Sequence, residues 1–171
     1  MKEEELPKQL EASLKRLGRE TIELYQHHYP MPRISIPKLM DQLANVVESG
    51  KVKAVGVSNY SAEQVREAHA ALAKRGIPLA SNQVEYSLLN RQPEVNGVLD
   101  VCRELGITLI AQTPLAGGKL TGKYSAQNRA GGFFRRVLPQ YSRKAMEEMQ
   151  PVIKLLREIG EKYGKMPSQV A

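Results

Sequence analysis

Two of the chain's three histidines stand side by side in Leu24-Tyr25-Gln26-His27-His28-Tyr29-Pro30, where an apolar run meets a proline. Adjacent imidazoles could hold a metal or share acid–base work. Further stretches gather side chains that bind polar ligands: Ser58-Asn59; Asn82, Gln83 and Glu85; Gln112-Thr113; and the glycine-rich run from Pro114 to Tyr124, PLAGGKLTGKY. Amides and hydroxyls dominate these sets. They suit a polar ligand held by neutral hydrogen bonds, with Lys119 and Lys123 at hand for phosphate. Taken singly, Ser58, Asn59 or Ser61 is better read as a helix cap; together the residues point to a site.

The run from Gly117 to Tyr124 nearly reproduces the phosphate-cradling pattern G-x-x-x-x-G-K-[ST]. Its last position fails, because Tyr124 has no compact hydroxyl for Mg²⁺. The following SAQNRAGG (125–132) reads as a loop rather than as the helix whose N-terminus would face phosphates. A nucleotide-hydrolase reading is therefore rejected. What survives is that glycines and Lys123 let backbone and a cation approach a phosphate. The single cysteine, Cys102, leaves no thiolate cluster and reads as a buried helix residue, so no metal site is expected.

These residues must be held by something. The 171 residues are 42% apolar and 25% charged, an ordinary globular composition. No apolar run approaches the ~20 residues of a membrane-spanning helix, and the charged MKEEELPKQL is unlike a signal peptide. A cytoplasmic location with no membrane partner is the expectation. A net charge of +7 comes without a zinc-finger spacing, an RNP-like strand or a long basic block, so no nucleic-acid partner is expected either.

Leu6, Leu10, Leu14 and Leu17 recur at helical spacing up to Gly18, and Leu39, Met40, Leu43, Val46 and Val47 do so between Pro37 and Gly50. A third helix opens at Ser61 with Gln64 at capping-box spacing and ends near Gly76. A fourth is expected from Pro93 through Val98, Val101, Cys102 and Leu105 to Gly106. Between the helices lie four strand candidates starting at Ile22, Val52, Ala80 and Ile107, in steps of 30, 28 and 27 residues. Strands separated by helices pair in parallel. The regular step is that of a (β/α)8 barrel, whose eight units need about 250 residues. The expectation is an α/β fold: a partial TIM barrel of four parallel strands with flanking helices, filling 1–171 as one domain whose N-terminal units and final unit are absent. An open doubly wound sheet is the alternative. Pro167-Ser168-Gln169-Val170-Ala171 reads as the first turn of a further helix.

In order along the chain, LEASLKRLG, LYQHHYP, GKVKAVGVSNYS, ASNQVEYSLLNR, TLIAQTPLAGGKLTGKY and IGEKYGKMPSQVA resemble successive motifs of the aldo-keto reductase superfamily, in its monomeric or channel-β-subunit-like branch. The resemblance implies a (β/α)8 barrel that binds NADPH in extended form and reduces a small carbonyl substrate, an aldehyde or ketone, by hydride transfer. The chain would cover about the fourth to seventh βα units. Carried over by motif, His28 is the active-site histidine that positions and polarises the carbonyl. Ser58, Asn59 and Gln83 hydrogen-bond the nicotinamide carboxamide. Thr113, Pro114 and Leu115 face the pyrophosphate, and Lys123 is a further phosphate contact. Gln112 stands where relatives usually carry an aromatic ring that stacks on the nicotinamide, which an amide cannot reproduce.

The resemblance also implies that the family's catalytic aspartate, tyrosine and lysine belong to units outside this chain. The chain alone is then expected to be inactive, a fragment whose function belongs to its parent. NADP over NAD rests on the resemblance alone. Open sheet edges lead one to expect self-association. The alternative is a non-catalytic remnant that binds cofactor or a partner protein, as a channel β-subunit does. Because side chains alternate along a strand, Gln26 and His28 fall on one face and Tyr25 and His27 on the other, which makes His27 a packing residue.

Overall fold

The computed structural model describes residues 5–128 and 138–171; the part of the expected loop over 125–132 that follows Asn128 lies outside the described residues. The chain forms two compact units, one of Met1–Val84 with Gln92–Ala111 and one of Glu85–Arg91 with Gln112–Ala171.

The first unit alternates helix and strand: α1 (Glu5–Leu17), β1 (Ile22–His27), α2 (Ile36–Glu48), β2 (Val52–Ser58), α3 (Ala62–Ala73), β3 (Leu79–Glu85), α4 (Gln92–Val95), α5 (Val98–Glu104) and β4 (Thr108–Gln112). The strands order as β1-β2-β3-β4, and β2 runs parallel to both β1 and β3. α1, α2, α3 and α5 present their apolar stripes to one core. Leu6, Leu10 and Leu14 of α1, Leu39 and Leu43 of α2, Val65, Ala68 and Leu72 of α3, and Val101 and Cys102 of α5 meet Ile22, Val52, Val55, Val57 and Leu79 of the strands. Burial of such side chains contributes about 1.5–3 kcal/mol each. The capping box at the start of α3 forms: Gln64 N donates to Ser61 Oγ at 3.3 Å, and Ser61 N to Gln64 Oε1 at 2.9 Å. Arg75 clamps the end of α3 to α2 through Asp41 Oδ1 at 2.8 Å and Glu48 Oε2 at 2.5 Å.

The fourth expected helix is broken. Asn96 and Gly97 separate α4 from α5 because Gly97 takes φ +80 and Asn96 Oδ1 accepts from Val98 N at 3.2 Å. An Asn-Gly pair offers the backbone a left-handed turn that a continuous helix cannot use.

The sheet has two unlike faces. His27, Val57 and Asn82 are register partners, as are Gln26, Gly56 and Ser81 in the next row. The first row lies in the core: Val57 and Asn82 are fully buried, and Asn82 Nδ2 donates to Tyr60 O at 3.1 Å. The second row is polar, with Gln26 Nε2 donating to Ser81 Oγ at 3.2 Å directly over Gly56. A register shift between Val55 and Gly56 sets this phase, since it pairs Val55 with Leu79 in the core and then Gly56 with Ser81 on the opposite face.

In the second unit, 3₁₀ turns at Ala116–Thr121 and Pro139–Tyr141 are followed by α6 (Arg143–Glu148), α7 (Gln150–Tyr163) and α8 (Pro167–Val170). Leu120, Ile153 and Leu156 form its main core, and Tyr141 with Met146 a second. No helix among the described residues is long and apolar enough to cross a membrane.

A Cβ on Gly56 would lie 2.2 Å from Ser81 Oγ and 3.1 Å from Gln26 Cγ. Gly56→Ala is therefore expected to cost about 1–3 kcal/mol, read as a lower urea midpoint at unchanged slope. An unchanged midpoint would show that this face is not packed as described.

Candidate functional site

In the first unit the structure brings His28, Ser58, Asn59 and Gln83 together at the carboxyl ends of β1, β2 and β3. Asn59, directly after β2, has φ +62, a left-handed conformation that asparagine tolerates better than most residues. That turn lets Asn59 N donate to Gln83 O at 2.8 Å. The side-chain Nδ2 donates to His28 O at 3.0 Å and to Ser58 Oγ at 3.0 Å. Ser58 Oγ in turn donates to Gln83 O at 2.8 Å. Three strand ends are thus tied by one asparagine and one buried serine.

Ser58 has no free donor left, and both Nδ2 hydrogens of Asn59 are engaged. Asn59 Oδ1 and the Gln83 carboxamide have no partner among the described residues. One acceptor after β2 and one carboxamide on β3 are therefore uncommitted. The His28 imidazole is exposed just past β1, tilted on Tyr29 with ring centroids 4.4 Å apart.

His27 has a different place. Its Nδ1 lies 3.2 Å from Tyr60 Oη, with the two rings edge to face. Burial, then the charge of His28, lowers the His27 pKa. Burial, then Glu67, pushes the Tyr60 phenol up to about 12, and burial raises Tyr25 as well. An acid working near neutrality needs the opposite shift, so neither phenol is prepared to give up its proton. Asn82, grouped by sequence with the polar set, faces the core and serves Tyr60 O instead. Among the described residues no three His, Cys, Asp or Glu side chains converge on a metal position.

The second unit holds the remaining predicted residues, Gln112, Thr113, Pro114, Leu115 and Lys123, along one loop. Gln112 is exposed, and its carbonyl accepts from Tyr86 N at 3.2 Å. Thr113 and Ala116 take φ +51 and +50, and Ala116 N donates to Thr113 O at 2.8 Å. Leu115, partly buried, packs on the Leu120 core. Lys123 is exposed, with its N–H donating to Thr121 Oγ1 at 3.2 Å and its carbonyl accepting from Asn128 at 2.9 Å. The sequence did not single out Tyr141, whose hydroxyl donates to Gly117 O at 3.1 Å and fills the space a Cβ on Gly117 would need. No sequence signal ties these residues, which are 24 positions apart.

The model of the Aldo/keto reductase family matches residues 1–171. The chain belongs to the aldo-keto reductase family. Aldo-keto reductase str7 of Strobilurus tenacellus is 37% identical over 165 residues, 95% of this chain and 48% of that protein. The chloroplastic pyridoxal reductase of Arabidopsis thaliana is 42% identical over 137 residues, 78% of this chain and 35% of that one. The structure of a glycerol dehydrogenase from Gluconobacter oxydans matches with a TM-score of 0.83 at 28% identity, covering 96% of this chain and 49% of that chain. This aldo-keto reductase chain therefore spans half or less of the length of these relatives, and its α/β units correspond to part of the barrel.

Two predictions follow from the strand-end network and its histidine neighbour. Asn59→Ala loses two side-chain hydrogen bonds and places alanine at φ +62, for a cost of about 2–3 kcal/mol. Asn59→Gly keeps the backbone comfortable and is expected to lose less, a ranking that equilibrium unfolding reads directly. For His27, a folded pKa below the unfolded value of about 6.5 means that the unfolded state binds the proton more readily. Stability should then be full above about pH 6.5 and fall as pH drops through that value toward the lower folded pKa. In melting-temperature scans His27→Gln should flatten this slope; an unaltered slope would assign it to other groups.

Proposed function

We propose that this chain carries the nicotinamide-facing wall and the active-site histidine of an NADP(H)-dependent aldo-keto reductase that reduces aldehydes or ketones. The observation that carries the reading is the uncommitted pair at the strand ends. A carboxamide has one carbonyl and one amino group, and Asn59 Oδ1 can accept from the amino group while the Gln83 amide donates to the carbonyl. The residues present therefore fit a nicotinamide. When bound, it supplies the hydride. The protein's part is to hold the ring by Asn59 and Gln83 so that a single face is presented, while Ser58 keeps both residues in place through its hydrogen bonds to Asn59 Nδ2 and Gln83 O. His28 donates to the carbonyl oxygen of the substrate and orients it, its own backbone held by Asn59. The loop of Thr113, Pro114 and Leu115, with Lys123, takes the pyrophosphate. Gln112 offers a hydrogen-bonding amide in place of a stacking ring, which weakens the hold on the cofactor. NADP(H) rather than NAD(H) rests on family membership.

Neither Tyr25 nor Tyr60 is prepared as a proton donor. The 171-residue chain alone is thus expected to show no reduction of an aldehyde by NADPH; turnover abolished by His28→Ala would overturn this. NADPH fluorescence should nonetheless change on titration, and Gln83→Ala should weaken the apparent affinity about tenfold, the loss of one or two hydrogen bonds. Fluorescence unchanged across the titration would sink the cofactor-binding reading.

A further inference from the structure

Each strand-end residue has a neighbour in sequence that belongs to a second hydrogen-bonded set: His27 precedes His28, Tyr60 follows Asn59, and Asn82 precedes Gln83. The set is joined through Tyr60. Its hydroxyl lies 3.2 Å from His27 Nδ1, and its carbonyl accepts from Asn82 Nδ2 at 3.1 Å. Tyr60 is 1% exposed, and its hydroxyl has no other partner among the described residues. A buried O–H left unpaired is costly, so the phenol donates and His27 Nδ1 accepts, which puts the imidazole proton on Nε2. Stability alone does not account for Asn82. It is fully buried, yet its Oδ1 has no partner among the described residues, and a leucine there would bury no such acceptor. What the asparagine supplies is a fixed place for the Tyr60 backbone.

That place constrains the turn before it. Asn59 is the one residue between two anchored ones: Tyr60, and Ser58, which is buried at the end of β2 with its hydroxyl on Gln83 O. Tyr60 also stands just before the Ser61 cap of α3, where a hydrophobic staple sets the chain's entry into a helix, and Val65 at the matching position is fully buried. For Asn59 to relax from φ +62, Tyr60 would have to shift against both of its hydrogen bonds. We propose that Tyr60 is a positioning residue for the cofactor-facing pair, pinned by His27 at its hydroxyl and by Asn82 at its carbonyl so that Asn59 Oδ1 keeps one place relative to the Gln83 carboxamide. This rests on the reading of that pair as the hold on the nicotinamide. Tyr60, His27 and Asn82 act through the turn and not on the ligand.

Two measurements on the full chain separate the hold on the turn from the hold on the cofactor. Native-state hydrogen exchange of the Asn59 amide, which donates to Gln83 O at 2.8 Å, reports the turn with no ligand present, and fluorescence titration with NADPH reports the ligand. Asn82→Leu trades one orphan acceptor, Asn82 Oδ1, for another, Tyr60 O, so the melting temperature is expected to stay near the wild-type value. The Asn59 protection factor should nevertheless fall about tenfold relative to the amides of β2, and NADPH should bind about tenfold more weakly. Tyr60→Phe keeps the ring and the carbonyl; it should lower both by about threefold and shift the ¹⁵N resonance of His27 Nδ1, which loses the hydrogen bond it accepts. Asn59 protection that is unchanged in Asn82→Leu, or lowered only in step with β2, would overturn the proposal whatever NADPH does. Lowered protection with unchanged NADPH affinity would overturn it too and leave the cofactor reading intact. Wild-type protein that fails to bind NADPH would sink the cofactor reading, and the exchange would still decide whether Tyr60 holds the turn.

Discussion

The candidate site depends on a single backbone conformation, the left-handed turn at Asn59. Only with φ +62 does the chain leave β2 so that the Asn59 amide reaches Gln83 O while its side chain reaches back to His28 O. Most residues pay about 1–2 kcal/mol for that conformation. Here one backbone and two side-chain hydrogen bonds offset the cost, and the same bonds fix three neighbouring strand ends relative to one another. Ser58, buried and fully engaged, keeps the arrangement from relaxing. The groups left over, Asn59 Oδ1 and the Gln83 amide, are presented on a rigid frame, the condition under which hydrogen bonds select a ligand's orientation.

The frame in turn requires the sheet to keep its faces apart. A slip of one residue would exchange Gln26, Gly56 and Ser81 with His27, Val57 and Asn82, putting polar groups into the core and apolar ones on the ligand side. The register shift beside Gly56 holds the phase: Leu79 packs with Val55, and Ser81 and Gln83 turn the other way. Gly56 then leaves room for Ser81 Oγ to meet Gln26 Nε2. The two adjacent histidines follow the same rule, with His27 paired to Val57 on the helix side and His28 released at the strand end.

Much of this was legible in the residues. Apolar periodicity placed α1 and α2, capping-box spacing and a glycine stop placed α3, and the strand candidates fall within one residue of their observed starts. The capping box at Ser61 and Gln64 is a local pattern and formed as read. The ordered motifs indicated the family and the groups that meet at the strand ends. What escaped were features set by distant partners. The break at Asn96-Gly97 was missed because Val98, Val101, Cys102 and Leu105 keep helical spacing after it, and Pro93 offered a plausible helix start before it. Asn82 sits two positions past Ala80 in an unremarkable polar run, and only the register shift sends it to the core. The place of Tyr141 depends on contacts between segments far apart in sequence. The direction of the Tyr60 shift follows from burial, which a phenol's neighbours in sequence do not reveal.

The central claim, that the strand ends present a pair of groups complementary to a carboxamide, is tested most directly by following the side-chain amide resonances of Asn59 and Gln83 in ¹⁵N-labelled protein as NADPH is added. The account predicts that the Gln83 Nε2 signals move, because that amide is uncommitted in the free protein, while the Asn59 Nδ2 signals, already bonded to His28 O and Ser58 Oγ, move far less. Gln83 signals that stay in place while resonances elsewhere report binding would contradict it.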